Sequence, residues 1–180
     1  MIWVLAIVIV LLLCVVGALL YRQRRTAQLK QGFGPEYDRA VHEHGDQRKA
    51  EAELTERRER RRGYDIRPLA PEARERFAER WRATQAQFVD QPASALNDAD
   101  SLVEEVMRER GYPVDDFERQ AADVSVDHPG VVDHYRCAHA IHQNGSEAST
   151  EDLRQALVHY RALFDELLEP EPNQEIQEVK

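Results

Sequence analysis

Residues 149–168 read STEDLRQALVHYRALFDELL, and this stretch indicates the fold most clearly. Its apolar residues recur at every third or fourth position, which places them on one face of an α-helix. Ser149 or Thr150 can cap this helix, and Glu151 and Asp152 suit the positive end of the helix dipole. The face predicted to be buried consists of Leu153, Ala156, Leu157, Tyr160, Leu163, Phe164 and Leu167.

Four more amphipathic segments precede this helix. They are a helix opened by Pro71 with Ala73, Phe77, Trp81 and Phe88 inward, a helix over 92–110, a shorter helix over about 114–124, and a helix capped by Asp127 and ended by Asn144. No run within 69–168 alternates between apolar and polar residues in the manner of a strand. The sequence therefore predicts an all-α fold, with a small four- to five-helix bundle over 69–168.

The N-terminal segment is apolar throughout and predicts a transmembrane helix over residues 1–21. Residues 1–20 contain no charged side chain, and a helix of that length rises about 30 Å, the thickness of a bilayer core. We expect contact with lipid through residues 2–20. The alternative is a cleaved secretory signal, which would leave a secreted or envelope protein. A signal would have basic residues before its apolar run, and this chain has none.

Charge is sorted along the chain. Residues 1–62 contain 12 Lys and Arg against 8 Asp and Glu, whereas residues 91–180 contain 7 against 20. The cations that follow the apolar segment, Arg22, Arg24, Arg25 and Lys30, predict an outside N-terminus and a cytoplasmic soluble domain at the cell membrane. The acidic distal part argues against nucleic acid and leaves a basic protein surface, or a cation, as possible partners.

Residues 22–68 are predicted to form a basic juxtamembrane linker, over 22–34, and a charged helical neck. The neck comprises a short helix over 36–44 and a charged run over 46–62, interpreted as a solvated helix or spacer. Five arginines close that run, at positions 57, 58, 60, 61 and 62, and could grip phosphate or RNA. Because glutamates interleave with them and no aromatic residue accompanies them, a solvated face is favoured. The acidic tail over 169–180 is predicted to be disordered.

Histidines provide the main candidates for chemistry. His128, His134, His139 and His142 fall close together in sequence, but no zinc-binding or di-iron motif accompanies them. We therefore predict partly buried, hydrogen-bonded histidines, with no metal, cofactor or catalytic residue, and keep a metal site on 128–142 as an alternative. Cys137 is interpreted as a small buried residue, and Asp98, Asp100, Asp115 and Asp116 as helix-start acids.

Four motifs carry a resemblance that covers nearly the whole chain. They are FGPEYDR at 33–39, RPLAPEAR at 67–74, VMRERGYP at 106–113 and SVDHP at 125–129. Together they resemble an uncharacterised bacterial family of small proteins with one N-terminal apolar segment and a helical body. The resemblance implies this architecture and a cell-envelope setting, and it implies no activity.

The function that these observations predict is a membrane-anchored protein–protein interaction or structural protein that is not an enzyme. Two alternatives stay open. One is a secreted or envelope helical protein released by signal cleavage, and the other is a metal-binding helical protein that uses the histidines of 128–142.

Overall fold

The structure, a computed structural model, describes residues 2–169, apart from the side chains of residues 2, 4–10 and 146. The described residues form eight α-helices and no strand, which confirms the predicted all-α fold. In chain order the helices are α1 (Ile2–Phe33), α2 (Pro35–His44), α3 (Gln47–Arg62), α4 (Pro71–Gln87), α5 (Pro92–Arg110), α6 (Phe117–Asp127), α7 (Val132–Gln143) and α8 (Thr150–Leu168). A short 3₁₀ turn, Gly145–Glu147, precedes α8.

The chain divides between Glu56 and Arg57 into an N-terminal and a C-terminal compact unit. Over the part of the chain that the structure describes, none of the helices combines the length and the apolarity needed to cross a bilayer. The predicted anchor over 1–21 lies partly outside the described residues, because Met1 and most side chains of the next nine residues are not described. Residues 170–180 of the predicted tail also lie outside them.

Residues 22–33, which the sequence assigns to a linker, continue α1 without interruption. The physical reason is a buried pair one helical turn apart, Leu29 and Phe33, which holds this part of α1 in its unit. The chain turns only at Gly34, whose positive φ of 47° ends the helix, and Pro35 then opens α2.

Glu51 on α3 links the helices of the N-terminal unit. Its Oε1 accepts hydrogen bonds from Thr26 Oγ1 on α1 at 2.7 Å, from Tyr37 Oη on α2 at 3.0 Å and from Gln47 Nε2 at 2.8 Å. Burial alone would raise the pKa of this carboxyl group, but the three hydrogen bonds outweigh burial and lower it.

The prediction of a solvated helix over 46–62 is wrong for one face of α3, where Ala50 and Leu54 are fully buried.

The C-terminal unit is a helical bundle in which α8 packs against α5 and α7, and α4 packs against α5. Every residue of the predicted face of α8 is buried, and the rings of Trp81 and Phe164 stack at a centroid distance of 4.5 Å. The predicted cap is confirmed as a capping box, in which Ser149 Oγ accepts from the Asp152 backbone and Asp152 Oδ2 accepts from the Ser149 backbone.

The boundaries of α6 differ from the prediction by three residues. The helix begins at Phe117 because Asp116 Oδ2 accepts the Arg119 backbone N–H at 3.1 Å and caps it there. At its other end, α6 extends to Asp127. The prediction that Asp127 caps α7 is therefore wrong, since α7 starts at Val132.

Three of the five arginines at the end of α3, Arg57, Arg60 and Arg61, contact α6, whereas Arg62 is exposed. Arg60 Nε donates to Asp123 Oδ1 at 2.8 Å, and Arg61 Nε donates to Asp127. The Asp123 side chain is only 1% exposed. These ion pairs link the end of α3 to α6 within the C-terminal unit. The paired residues are more than sixty positions apart, so the local sequence does not reveal them.

Replacing Gly111 with alanine is expected to destabilise the C-terminal unit by at least about 2 kcal/mol, because the residue has φ 97° and ends α5 in the left-handed region. A Cβ atom there would clash with the backbone oxygen of Asp65. Urea unfolding of the full chain measures the loss. Gly130→Ala is the matched control, since a Cβ meets nothing within 4 Å there and φ is not positive, and an equal loss in both variants would contradict the prediction.

Candidate functional site

The structure separates two of the four candidate histidines from the others. His128 Nδ1 lies 3.2 Å from Glu166 Oε1 on α8. His134 Nδ1 lies 2.7 Å from His159 Nδ1, also on α8. The four histidines that sequence proximity grouped therefore do not form one site. The two that remain lie three residues apart on α7 and share a face, as their spacing indicated.

Asp100 on α5 joins these two histidines, His139 and His142. One ligating atom from each of the three residues lies within 4.8 Å of the other two, and all three side chains are half-buried. His142 Nδ1 is 3.5 Å from Asp100 Oδ2. The interpretation of Asp100 as a helix-start acid is wrong, because it is the ninth residue of α5. The available signal was its place between the buried residues Leu96 and Val103, on an apolar stripe.

Two hydrogen bonds orient the acid and one histidine. Tyr160 Oη donates to Asp100 Oδ1 at 2.6 Å, which leaves Oδ2 directed at His142. His142 Nε2 lies 2.7 Å from Asn97 Oδ1, and an amide oxygen can only accept. The Nε2 atom therefore carries a hydrogen, and in the neutral ring the lone pair is on Nδ1, which faces Asp100.

His139 is held by its surroundings rather than by an acid. Its ring stacks on Phe117 with centroids 3.5 Å apart and an interplanar angle of 7°. Its Nε2 lies 2.8 Å from Gln143 Nε2, and its buried Nδ1 has no hydrogen-bond partner among the described residues. Burial lowers the pKa of His139, and the nearby Asp100 charge opposes this shift only in part, so the ring is neutral at pH 7.

The electrostatic surroundings of this cluster are acidic. Burial raises the pKa of Glu104, and the negative charge of Asp100 raises it further. Burial and the charge of Asp100 also raise the pKa of Tyr135 and Tyr160, so both phenols stay protonated. The cluster thus combines carboxylate oxygen and imidazole nitrogen at a place where a cation would be stabilised.

A second feature is the surface of α1 in the N-terminal unit. Large apolar side chains project into solvent around the helix over 11–21: Leu11, Leu12, Leu13, Val15, Val16, Leu19, Leu20 and Tyr21. Next to this segment, α1 and α3 enclose a recess of about 240 Å³. Arg22, Arg25 and Arg48 line it, and Arg25 Nη2 donates to Thr55 Oγ1 at 2.9 Å.

Cys137 is exposed, and its prediction as a buried residue is wrong. The buried face of α7 consists of Val132, Tyr135 and Ala138, which turns Cys137 toward the other side of the helix. Tyr135 and Ala138 of α7 are buried, whereas His139 and His142 are half-buried.

The comparisons with known proteins found no match for this chain. No protein-family model matches the chain, and no significant match was found to a curated protein or to a solved structure. The resemblance to a bacterial family of small envelope proteins stays a prediction. The functional assignment therefore rests on the residues of the two features described above.

Proposed function

We propose that this protein is a single-pass protein of the cell membrane, anchored by residues 2–20, whose helical units act in the cytoplasm through contacts with other proteins. The observation that carries the proposal is the apolar surface that α1 exposes on all sides over 11–21. Burying such surface is favourable by about 25 cal/mol for each Å² removed from water.

A bilayer suits this surface better than a protein groove does. A helix that docks in a groove has one apolar stripe, whereas this segment is apolar around its whole circumference. A helix also satisfies its backbone hydrogen bonds internally, as hydrocarbon requires. Trp3 and Tyr21 lie near the two ends of the segment, where aromatic rings favour the membrane interface.

The arginines beside the segment support the orientation with the soluble part in the cytoplasm. Arg22 and Arg25 share a recess with Arg48, and guanidinium groups form charge-assisted hydrogen bonds with phosphate. Each such cation contributes about 1 kcal/mol at an anionic leaflet. The ligand that we propose for these arginines is the phosphate of an anionic lipid, although the carboxylate of Glu51 also lines the recess.

The partner that we propose is a protein with a basic surface. Residues 91–180 contain 20 Asp and Glu against 7 Lys and Arg, and charge of one sign steers partners of the opposite sign. Affinity capture from membranes at low salt is expected to retain such a partner and to lose it in 1 M salt, where the screening length falls to about 3 Å. Capture that retains nothing above an empty resin would contradict this part of the proposal.

Three arginines placed in the segment are expected to release the protein from membranes. Each arginine near the centre of a membrane helix costs about 2.5–3.5 kcal/mol, so Leu12→Arg, Leu13→Arg and Val16→Arg together outweigh much of the apolar gain. The measurement is the distribution of the full chain between carbonate-washed membranes and supernatant.

The matched control makes the same change at exposed apolar residues of the C-terminal unit. Val89→Arg and Val158→Arg are expected to leave the protein in the membrane fraction, because both side chains already face solvent. A reporter fused after Lys180 is expected to be active only in the cytoplasm. Mature protein that begins beyond Leu20 would overturn the anchor and establish the alternative of a secreted protein.

A further inference from the structure

We propose that Asp100, His139 and His142 bind a divalent transition metal ion of the zinc type. The ligand set is two imidazoles and one carboxylate, a combination that Zn²⁺ accepts together with water in the positions left open. The three side chains come from α5 and α7 and lie within one compact unit.

The distance between two of the ligand atoms suits a metal ion. Zn²⁺ holds nitrogen and oxygen ligands at about 2.0–2.2 Å, so two ligands in a tetrahedral shell lie about 3.4 Å apart. Asp100 Oδ2 and His142 Nδ1 lie 3.5 Å apart, close to that separation. This distance exceeds the range of ordinary N–H···O hydrogen bonds, which is about 2.7–3.2 Å.

The orientation of the His142 ring also suits a metal ion. Asn97 Oδ1 accepts from Nε2 of His142, so Nδ1 is the ring nitrogen that faces Oδ2 of Asp100. A metal ion between these two atoms can accept a coordinate bond from each of them.

The groups around the three ligands hold them in place. Histidine and carboxylate ligands in metal sites are held by outer hydrogen bonds, and here Asn97 holds His142 while Tyr160 holds Asp100. Phe117 fixes the ring plane of His139, whose buried Nδ1 has no hydrogen-bond partner among the described residues. Each ligand is therefore already oriented.

The pair His134 and His159 is the rival site for a metal. It offers two ring nitrogens 2.7 Å apart, without a carboxylate in the pair. Because stable zinc sites use three or four protein ligands, this pair is the weaker candidate. It also provides a direct comparison in the experiment.

The experiment titrates the purified full chain in detergent with Zn²⁺ and follows binding by calorimetry and the histidine ring signals by NMR. One ion per chain is expected to bind and to shift the ring signals of His139 and His142. His142→Ala and Asp100→Asn are each expected to weaken binding by more than about 100-fold, and Tyr160→Phe, which removes an outer hydrogen bond, by about 10-fold.

The controls separate this site from adventitious binding and from unfolding. His42→Ala removes an exposed histidine of α2, and it is expected to leave the affinity unchanged. Asp100→Asn keeps the shape of the side chain, and circular dichroism checks that the helices persist. Loss of the bound ion in His134→Ala but not in His142→Ala would overturn the proposal, as would wild-type protein that binds no Zn²⁺ at micromolar concentration.

Discussion

Phe164→Ala is expected to lower the free energy of unfolding of the C-terminal unit by about 3–5 kcal/mol, the usual cost of removing a buried aromatic ring. Phe164 is 2% exposed and lies on α8, the helix that packs against both α5 and α7. The change removes apolar contact area, opens a cavity and ends the stacking on Trp81 at 4.5 Å. Stacked pairs add about 0.5–1.5 kcal/mol beyond area alone.

The measurement is urea unfolding of the full chain, followed by circular dichroism because the change alters the environment of Trp81. Val158→Ala is the matched control on the same helix, since its side chain is half-exposed, and the expected change is within about 0.5 kcal/mol. Similar losses in the two variants would mean that α8 does not carry the core of the bundle.

Asp123→Ala is expected to cost about 3–5 kcal/mol, because it removes a buried carboxylate that accepts from two side chains. The Asp123 side chain is 1% exposed and accepts from Arg60 Nε at 2.8 Å and from Tyr64 Oη at 2.9 Å. Both donors lose this acceptor in the variant. Urea unfolding of the full chain again provides the measurement.

Two further variants test the origin of this loss. Asp123→Asn keeps an oxygen that can accept from Tyr64 but removes the charge, so an intermediate loss is expected. Asp115→Ala removes an exposed acid just before α6 and is expected to change stability by less than about 0.5 kcal/mol. If Asp123→Ala and Asp115→Ala proved equivalent, the join between α3 and α6 would contribute nothing to stability.

Local patterns in the chain were sufficient to predict several helices. Pro71 and Pro92 open α4 and α5, and Gly111 ends α5, because proline suits a first turn and glycine adopts the left-handed conformation that follows a last turn. The cap at Ser149 likewise indicates where α8 begins, and the apolar periodicity of α8 indicates which face is buried. Each signal lies within a few residues of the boundary that it determines.

The predictions were wrong where a side chain's environment is set by distant residues. The run over 46–62 contains few apolar residues and reads as solvated, yet Ala50 and Leu54 are buried and Arg60 pairs with an acid 63 positions away. The predicted start of α6 was Val114, which fits the apolar pattern. The helix begins at Phe117 instead, because Asp116 caps it.

The helical class, most boundaries of α4, α5 and α8 and the basic-to-acidic charge gradient follow from residues close together in the chain. The candidate metal site does not, since Asp100 lies on α5 and its two histidines on α7, about forty residues later. The physical reason is that helix periodicity and capping act over one or two turns. The packing of α8 against α5 and α7, in contrast, decides which polar side chains on their faces meet.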